Sequence, residues 1–322
     1  MKMCECKKGG LGDMPELSFV IGICAHNEKE GVGLLIPRLL QENYQNTLDS
    51  IIVVSTASTD GTNDIVRSLK DDRIDLILED ERKGKYTAVN EIIRRAKSKK
   101  VKVIVMIPAD VLPKVGAIDL LVSKFQNEEV GCVSARPVVR NTNSVVEKIG
   151  LALWELHNET FLYHSEKKTV SHATGEMMAV RTEIMEELPR IIVDDAYMAG
   201  TALKKGFRVI YDPTAEVMIW VPTKFSDLWK QRKRNLQGLK HLDNFGISLQ
   251  TLTYSNPFII LLVIFKLMKR APRLFPFICI IAIIEILGVS FAFLPLPQTV
   301  VWDMITTAKP KSDAIERMGT IT

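Results

Sequence analysis

Residues 101–113, Val-Lys-Val-Ile-Val-Met-Ile-Pro-Ala-Asp-Val-Leu-Pro, decide the fold. Val101, Val103, Ile104 and Val105 lead into Met106 and Ile107, a β-branched, apolar run of the kind found in strands buried on both faces. The run breaks at Pro108, and Asp110 follows at once. A carboxylate therefore stands where a central strand of an open α/β sheet meets its next loop. Ligands of such sheets gather at the carboxyl ends of the strands. An aspartate in that place also serves as a helix cap, so the rest of the chain must decide between site and cap.

Three further strands precede it. Ser18 to Ala25 reads as the first and runs into His26-Asn27-Glu28. Ile51 to Val54 is the second, followed by the loop Ser55 to Thr62. Ile74 to Leu78 is the third. Between them, Val32, Leu34, Leu35, Leu39 and Leu40 recur with helical spacing, although Pro37 makes that helix start late or bend. Asn63 to Leu69 reads as a helix capped by the preceding loop. A third helix opens at Gly84-Lys85 and runs to about Ser98, with Ala88, Ile92, Ile93 and Ala96 on one face. A fourth covers Val115 to Phe125. Four strand–helix alternations in 127 residues argue for a doubly wound sheet. The polar residues that end each strand, His26 to Glu28, Ser55 to Asp60, Asp80-Glu81 and Asp110, should share one edge.

Composition narrows the chemistry. The 322 residues carry a net charge of +4, too little to imply nucleic acid, and no Lys/Arg run is interleaved with aromatics. Five scattered cysteines make no disulfide framework and fit a reducing compartment. Mean hydropathy is +0.09, and the apolar excess lies in the last quarter. Residues 1–16 are polar and read as a flexible tail without a signal peptide. Neither GxGxxG after the first strand nor GxxxxGK[ST] occurs, so dinucleotide and phosphate-loop readings lose support. His157, His164 and His172 fit no zinc spacing and read as surface or core histidines.

The residues resemble those of the inverting family 2 glycosyltransferases, which have the GT-A fold, a doubly wound, Rossmann-like mixed sheet. Cys24-Ala25-His26-Asn27-Glu28 is similar to that family's P-A-H/Y-N-E motif, and Ser58-Thr59-Asp60-Gly61-Thr62 to its S-T-D-G-T loop. Gly84-Lys85 with Ala88 and Asn90 resembles G-K-x-x-A-x-N. Ala109 to Pro113 resembles the second half of D-A-D-x-x-P, Asp194-Asp195 its E-D pair, and Gln231 to Asn235 its Q-x-x-R-W. Three departures stand out: Pro108 replaces the first metal-motif aspartate, Thr56 an aspartate that often contacts the base, and Asn235 a tryptophan.

The resemblance, which extends to polyprenyl- and dolichyl-phosphate sugar synthases and related synthases, implies a nucleotide-sugar donor. It places Ala25, Asn27, Glu28, Asp60, Lys85 and Asp110 around that donor, with Asp110 as ligand to Mg2+ or Mn2+. Asp195 takes the position of the base, and Asp194, Gln231 and Arg234 lie toward the acceptor and diphosphate. Such a cation and such cationic side chains stabilise a departing diphosphate, and a carboxylate can take the acceptor's proton. With a phosphate acceptor, already ionised, Asp195 would instead position substrate or cation. The rival reading is a membrane-tethered nucleotide-sugar-binding protein with a degenerate metal motif and no catalysis.

Domain boundaries follow. A GT-A domain is expected over 17–245 and a membrane-associated region over 246–296, with a C-terminal tail over 297–322. Leu274 to about residue 295 is apolar, with one charge at Glu285, and long enough to span a bilayer. The earlier segment, about 249–268, is an interfacial helix or a short span. Lys266, Lys269, Arg270 and Arg273 put that flank, and with it the catalytic domain, on the cytoplasmic side. Glu285 should face protein rather than lipid. The acceptor expected beside a membrane lipid surface is lipid-linked, or else a glycan.

Overall fold

The computed structural model describes residues 16–249, 256–292, 300–301, 305 and 307–309. The expected tail over 1–15, the beginning of the earlier apolar segment (250–255), the end of the expected span (293–295) and most of the C-terminal tail lie outside the described residues.

The chain runs β1 (Ser18–Ala25), α1 (Lys29–Gln41), β2 (Thr47–Thr56), α2 (Thr62–Ser68), β3 (Ile74–Glu79), α3 (Lys85–Ser98) and β4 (Val103–Pro108). These four strands are parallel, in the order β3-β2-β1-β4. Alternate residues of the central strands enter two separate cores. Val20, Ile52, Val54 and Ile104 pack against Ala88, Val89, Ile92 and Ile93 of α3. Phe19, Ile21, Ile23, Val53, Val103 and Val105 face Val32, Leu35, Ile36 and Leu39 of α1. Both faces of the sheet are covered, which explains why these strands show no polar alternation.

Pro37 does not delay or break α1, which begins at Lys29 and continues past it; burial of Leu35, Ile36 and Leu39 offsets the hydrogen bond that proline cannot make. Near its start, Gly31 lies directly against the Asp110 turn. A Cβ there would stand 2.2 Å from the Ala109 carbonyl oxygen, so only glycine allows this approach.

The second half is β5 (Leu112–Pro113), α4 (Ala117–Ser123), β6 (Val130–Val139), α5 (Val145–Glu166), β7 (Met178–Arg181), α6 (Asp194–Lys204) and β8 (Arg208–Ile219). The sheet is mixed and eight-stranded, β3-β2-β1-β4-β7-β6-β8-β5, with β7 antiparallel to both β4 and β6. The continuous parallel run thus ends at β4, although β6 and β8 pair in parallel with each other. The fourth expected helix is shorter than Val115 to Phe125: α4 passes into a 3-10 turn over Lys124–Gln126. Pro113 sits in the two-residue edge strand, where its missing N–H costs least.

α7 (Phe225–His241), α8 (Pro257–Arg270) and α9 (Phe275–Ala292) complete the described helices. Ile149, Ala152 and Leu156 of α5, Leu228 of α7, Val263 and Leu267 of α8, and Ile278, Ile281 and Ile284 of α9 form a third core. Glu285 does face protein: its carboxylate meets Arg232 of α7 at 2.6 Å, with both side chains largely buried. Pro272–Phe291 is long and apolar enough to cross a membrane. Val300, Val301, Ile305, Ala308 and Lys309 then lie at the carboxyl edge of the sheet.

Candidate functional site

A cavity of about 450 Å3 opens at the carboxyl ends of β1, β2 and β4. Ala25, His26 and Glu28 line it after β1, Thr56 at the end of β2, and Pro108, Ala109 and Asp110 after β4. The loop after β1 is held by the loop after β2. Asn27, at φ +52°, donates its backbone N–H to Ser58 and accepts one from Thr59 on its side-chain oxygen, at 2.8 Å. The Glu28 N–H reaches Thr62 Oγ1 at 2.9 Å, and the Lys29 N–H reaches Asp60 at 3.0 Å. Asp60 also accepts from the Thr62 N–H. The S-T-D-G-T segment therefore serves as a clamp on the H-N-E loop, and Asp60 is absent from the cavity wall.

The wall carries crowded negative charge. Burial, then the charge of Asp110, pushes Glu28 up to about 7, although Lys309 pulls the other way. Burial and the same neighbour push Glu176 up to about 7. Asp110 itself is raised, chiefly by burial. Lys309 enters from the far end of the chain. Its Nζ lies 2.8 Å from Glu28 Oε1 and donates to the Asn27 carbonyl oxygen at 2.8 Å.

Opposite these, α6 begins with Asp194 and Asp195, which diverge as adjacent helical positions must. Buried Asp194 takes Lys85 at 2.8 Å. Burial disfavours the Lys85 ammonium, yet Asp194, Cys24 and Asp195 hold its pKa above the ordinary lysine range. Asp195 lines the cavity, and burial followed by the Asp194 charge pushes it up to about 6. A Cβ on Gly175 would stand 3.0 Å from Asp195 Oδ2, so the glycine leaves that oxygen room. Asn90 fixes the approach to α6 by bonding both the Leu188 carbonyl and N–H, at 2.9 and 2.6 Å.

α7 supplies Gln231, Arg234 and Asn235 to the cavity. Burial lowers the pKa of Arg234, and its largest opposing influence is Glu176. His157 and His172 also reach the wall and pack on Phe161, with ring centroids 4.6 and 4.5 Å away. Both are core histidines, with burial holding their pKa values down, that of His172 at about 3.

The structure thus brings Ala25, Glu28, Lys85, Asp110, Asp194, Asp195, Gln231 and Arg234 to one cavity. Asn27 stands behind it and Asp60 outside. Lys309 and Glu79 were not singled out from sequence, and Glu176 was read only as the end of His172-Ala173-Thr174-Gly175-Glu176, a segment similar to the family's acceptor-side glycine segment. Glu79 accepts a hydrogen bond from Thr56 at 2.7 Å, restoring a carboxylate beside the position where Thr56 replaces an aspartate. Glu176 did carry a signal, an acid directly after the Thr174-Gly175 step. Lys309 carried none.

Among the described residues no three His, Cys, Asp or Glu side chains form a metal-binding group. The donor chemistry nevertheless suits a hard cation: Asp110 is a buried carboxylate beside Glu28 and Glu176, whose pKa values are raised first by burial and then by the Asp110 charge. One protein carboxylate completed by phosphate oxygens and water is a common arrangement for Mg2+.

The family model described as glycosyl transferase family 2 matches residues 20–189, just over half of the chain. Poly-beta-1,6-N-acetyl-D-glucosamine synthase of Staphylococcus aureus (strain COL) is 24% identical over 245 residues, covering 71% of this chain and 55% of that protein. The synthase of the same name from Staphylococcus epidermidis is 24% identical over 243 residues, covering 66% and 55%. The chain thus spans about half the length of the curated relatives it matches. A mannosyltransferase from Pyrobaculum calidifontis, solved with GDP-Man and Mn2+, superposes with a TM-score of 0.59 at 21% identity over 85% of this chain and 83% of that one.

Proposed function

The chain belongs to glycosyl transferase family 2, and from that premise we propose that it transfers a sugar with inversion from a nucleotide-sugar to an acceptor presented at a membrane surface. The observation that carries the reading is the convergence of Asp110, Asp195, Gln231 and Arg234, from three separate segments, on one cavity at the carboxyl edge of the sheet. A noncatalytic binding protein has no need of Asp195 held open by Gly175.

In this reading the donor's nucleoside lies over Thr56 and its diphosphate beside Asp110. Asp110 would hold a divalent cation there, and such an ion neutralises charge developing on the departing diphosphate. Mn2+ accompanies GDP-Man in the mannosyltransferase of like fold. Arg234 and Gln231 add hydrogen-bond donors on the same side. Lys85, fixed by Asp194, keeps a buried positive charge between the two groups of acids. Asp195 takes the acceptor hydroxyl's proton as the new bond forms, and its raised pKa makes it a better base than an ordinary aspartate. The apolar α8 and α9 support a membrane-apposed site, and Lys266, Lys269, Arg270 and Arg273 support its facing the cytoplasm, hence a lipid-linked acceptor or a growing glycan.

The test is transfer or hydrolysis across a panel of nucleotide-sugars with and without Mg2+ or Mn2+, with Asp110→Asn and Asp195→Asn in parallel. Metal-dependent turnover of one donor, lost in both variants, is the expected result. Donor binding without turnover across a broad acceptor panel would return the noncatalytic reading.

A further inference from the structure

We propose that α8 and α9 lie in the plane of a single anionic lipid leaflet, so that the catalytic domain and residues 300–309 stay on the same side of the bilayer. This rests on the membrane placement proposed above and replaces the single crossing expected from hydropathy.

α9 is bound to the catalytic domain along its length. Ile278, Ile281 and Ile284 share a core with α5, Glu285 meets Arg232, and Phe291 packs edge-on to Trp229 of α7 at 5.6 Å. A Cβ on Gly288 would stand 2.4 Å from Leu236 of α7. From Ile278 to Phe291 these contacts follow one face at helical spacing. Turning α9 upright in a bilayer would draw α5 and α7 into hydrocarbon with it. α5 carries Glu155, Glu159 and Glu166, which pair with Arg270 and Lys266 of α8.

The chain beyond α9 sets a second limit. Val300 is buried, its carbonyl oxygen 3.2 Å from where a Cβ on Gly84 would stand. Thr307 donates to Asp227 at 2.7 Å, and Lys309 reaches Glu28. Eight Cα steps separate Ala292 from Val300, and fully extended they reach at most about 28 Å. A hydrocarbon core is about 30 Å thick, and a lone extended strand cannot cross it with unpaired backbone groups. If α9 crossed alone, Val300 could not return to Gly84.

The outward faces fit one leaflet. Phe258, Leu261 and Phe265 of α8 and Ile283, Ile286 and Leu287 of α9 are exposed. Lys269 and Arg273 flank the turn between the helices and are exposed too; Lys269 lies 4.5 Å over the Phe265 ring. Apolar faces bordered by cations match acyl chains beneath anionic headgroups.

The full chain with an epitope tag after Thr322 is mixed with vesicles of phosphatidylcholine, alone or with phosphatidylglycerol, then floated and treated with protease from outside. At least tenfold more flotation with the anionic vesicles is expected, with tag and catalytic domain cleaved together. Phe258→Ser combined with Phe265→Ser should lower flotation at least tenfold and leave thermal unfolding unchanged. A tag protected while the domain is cleaved would overturn the proposal in favour of one crossing. Accessible tag and domain, with Arg273→Cys shielded from an impermeant maleimide as read by mass spectrometry at that site, would overturn it in favour of a two-span hairpin. Absence of flotation with every vesicle would remove the membrane placement itself, a result distinct from either.

Discussion

The two sides of the cavity are built by different physics. On the donor side, β1, β2 and β4 are buried on both faces, and loops laced by short-range and cross-loop hydrogen bonds deliver Glu28 and Asp110 to the edge. On the other side, α7 and α9 share an apolar core with α5 and α8, and charged or polar contacts between distant segments add to it: Arg232 with Glu285, Thr307 with Asp227, Lys309 with Glu28. The first arrangement fixes side chains through a rigid sheet. The second can be undone one pair at a time, so single substitutions should separate chemistry from assembly.

The largest effect should come from Asp195→Asn, which keeps the shape and removes the proposed base. A fall in kcat of about 10²–10⁴-fold is expected in steady-state assays. The same variant should unfold at a higher temperature. Because the folded state raises this carboxyl to about 6, its ionised form costs stability as pH rises above the unfolded value of 3.8, and asparagine removes that cost. A melting point unchanged or lowered would contradict the strained-acid description.

Next, Glu285→Ala leaves Arg232 mostly buried without this partner. Removing one member of a buried pair costs about 3–5 kcal/mol; with side chains 15% and 14% exposed, about 2–4 is expected in denaturant unfolding. Arg232→Leu with Glu285→Leu should recover most of it. Failure of that rescue would mean the pair does more than hold α9 to α7.

Lys309→Ala should raise the donor KM roughly tenfold, the scale of one charge-assisted hydrogen bond, while changing kcat less. Lys309→Arg should restore part of the loss. An unchanged KM would make residues 300–309 a bystander to the donor side.

The smallest effect is the pH limb. With Asp195 as base, kcat should fall about tenfold per pH unit below about 6 and level off above it. A phosphate acceptor, which needs little base, would flatten that limb.

Legibility follows the same division. β1 to β4 were readable because burial on both faces leaves unbroken β-branched runs, and Asp110, Lys85 and Asp195 were readable because short motifs keep fixed spacing at strand ends and a helix start. α6 runs from Asp194 to Lys204 with the acid pair in its first turn. β6, β7 and β8 were not readable: Pro137 and Pro213 interrupt the pattern, and β6 and β8 pair with shifts in register. Asp60 lies outside the cavity wall, and a loop aspartate that caps its neighbours has the same sequence appearance as one that meets a ligand. The apolar run of α9 is long enough for a span, but hydropathy records what a helix avoids, not whether protein or lipid provides the shelter. Lys309 was invisible because its partner Asn27 lies 282 positions away, and no periodicity reaches so far.

That separation has a consequence for biogenesis. Chains emerge from the ribosome N-terminus first, and domains fold as they appear. Glu28 and Asp110 are therefore synthesised well before Lys309, and the Lys309–Glu28 contact cannot form until Lys309 has emerged.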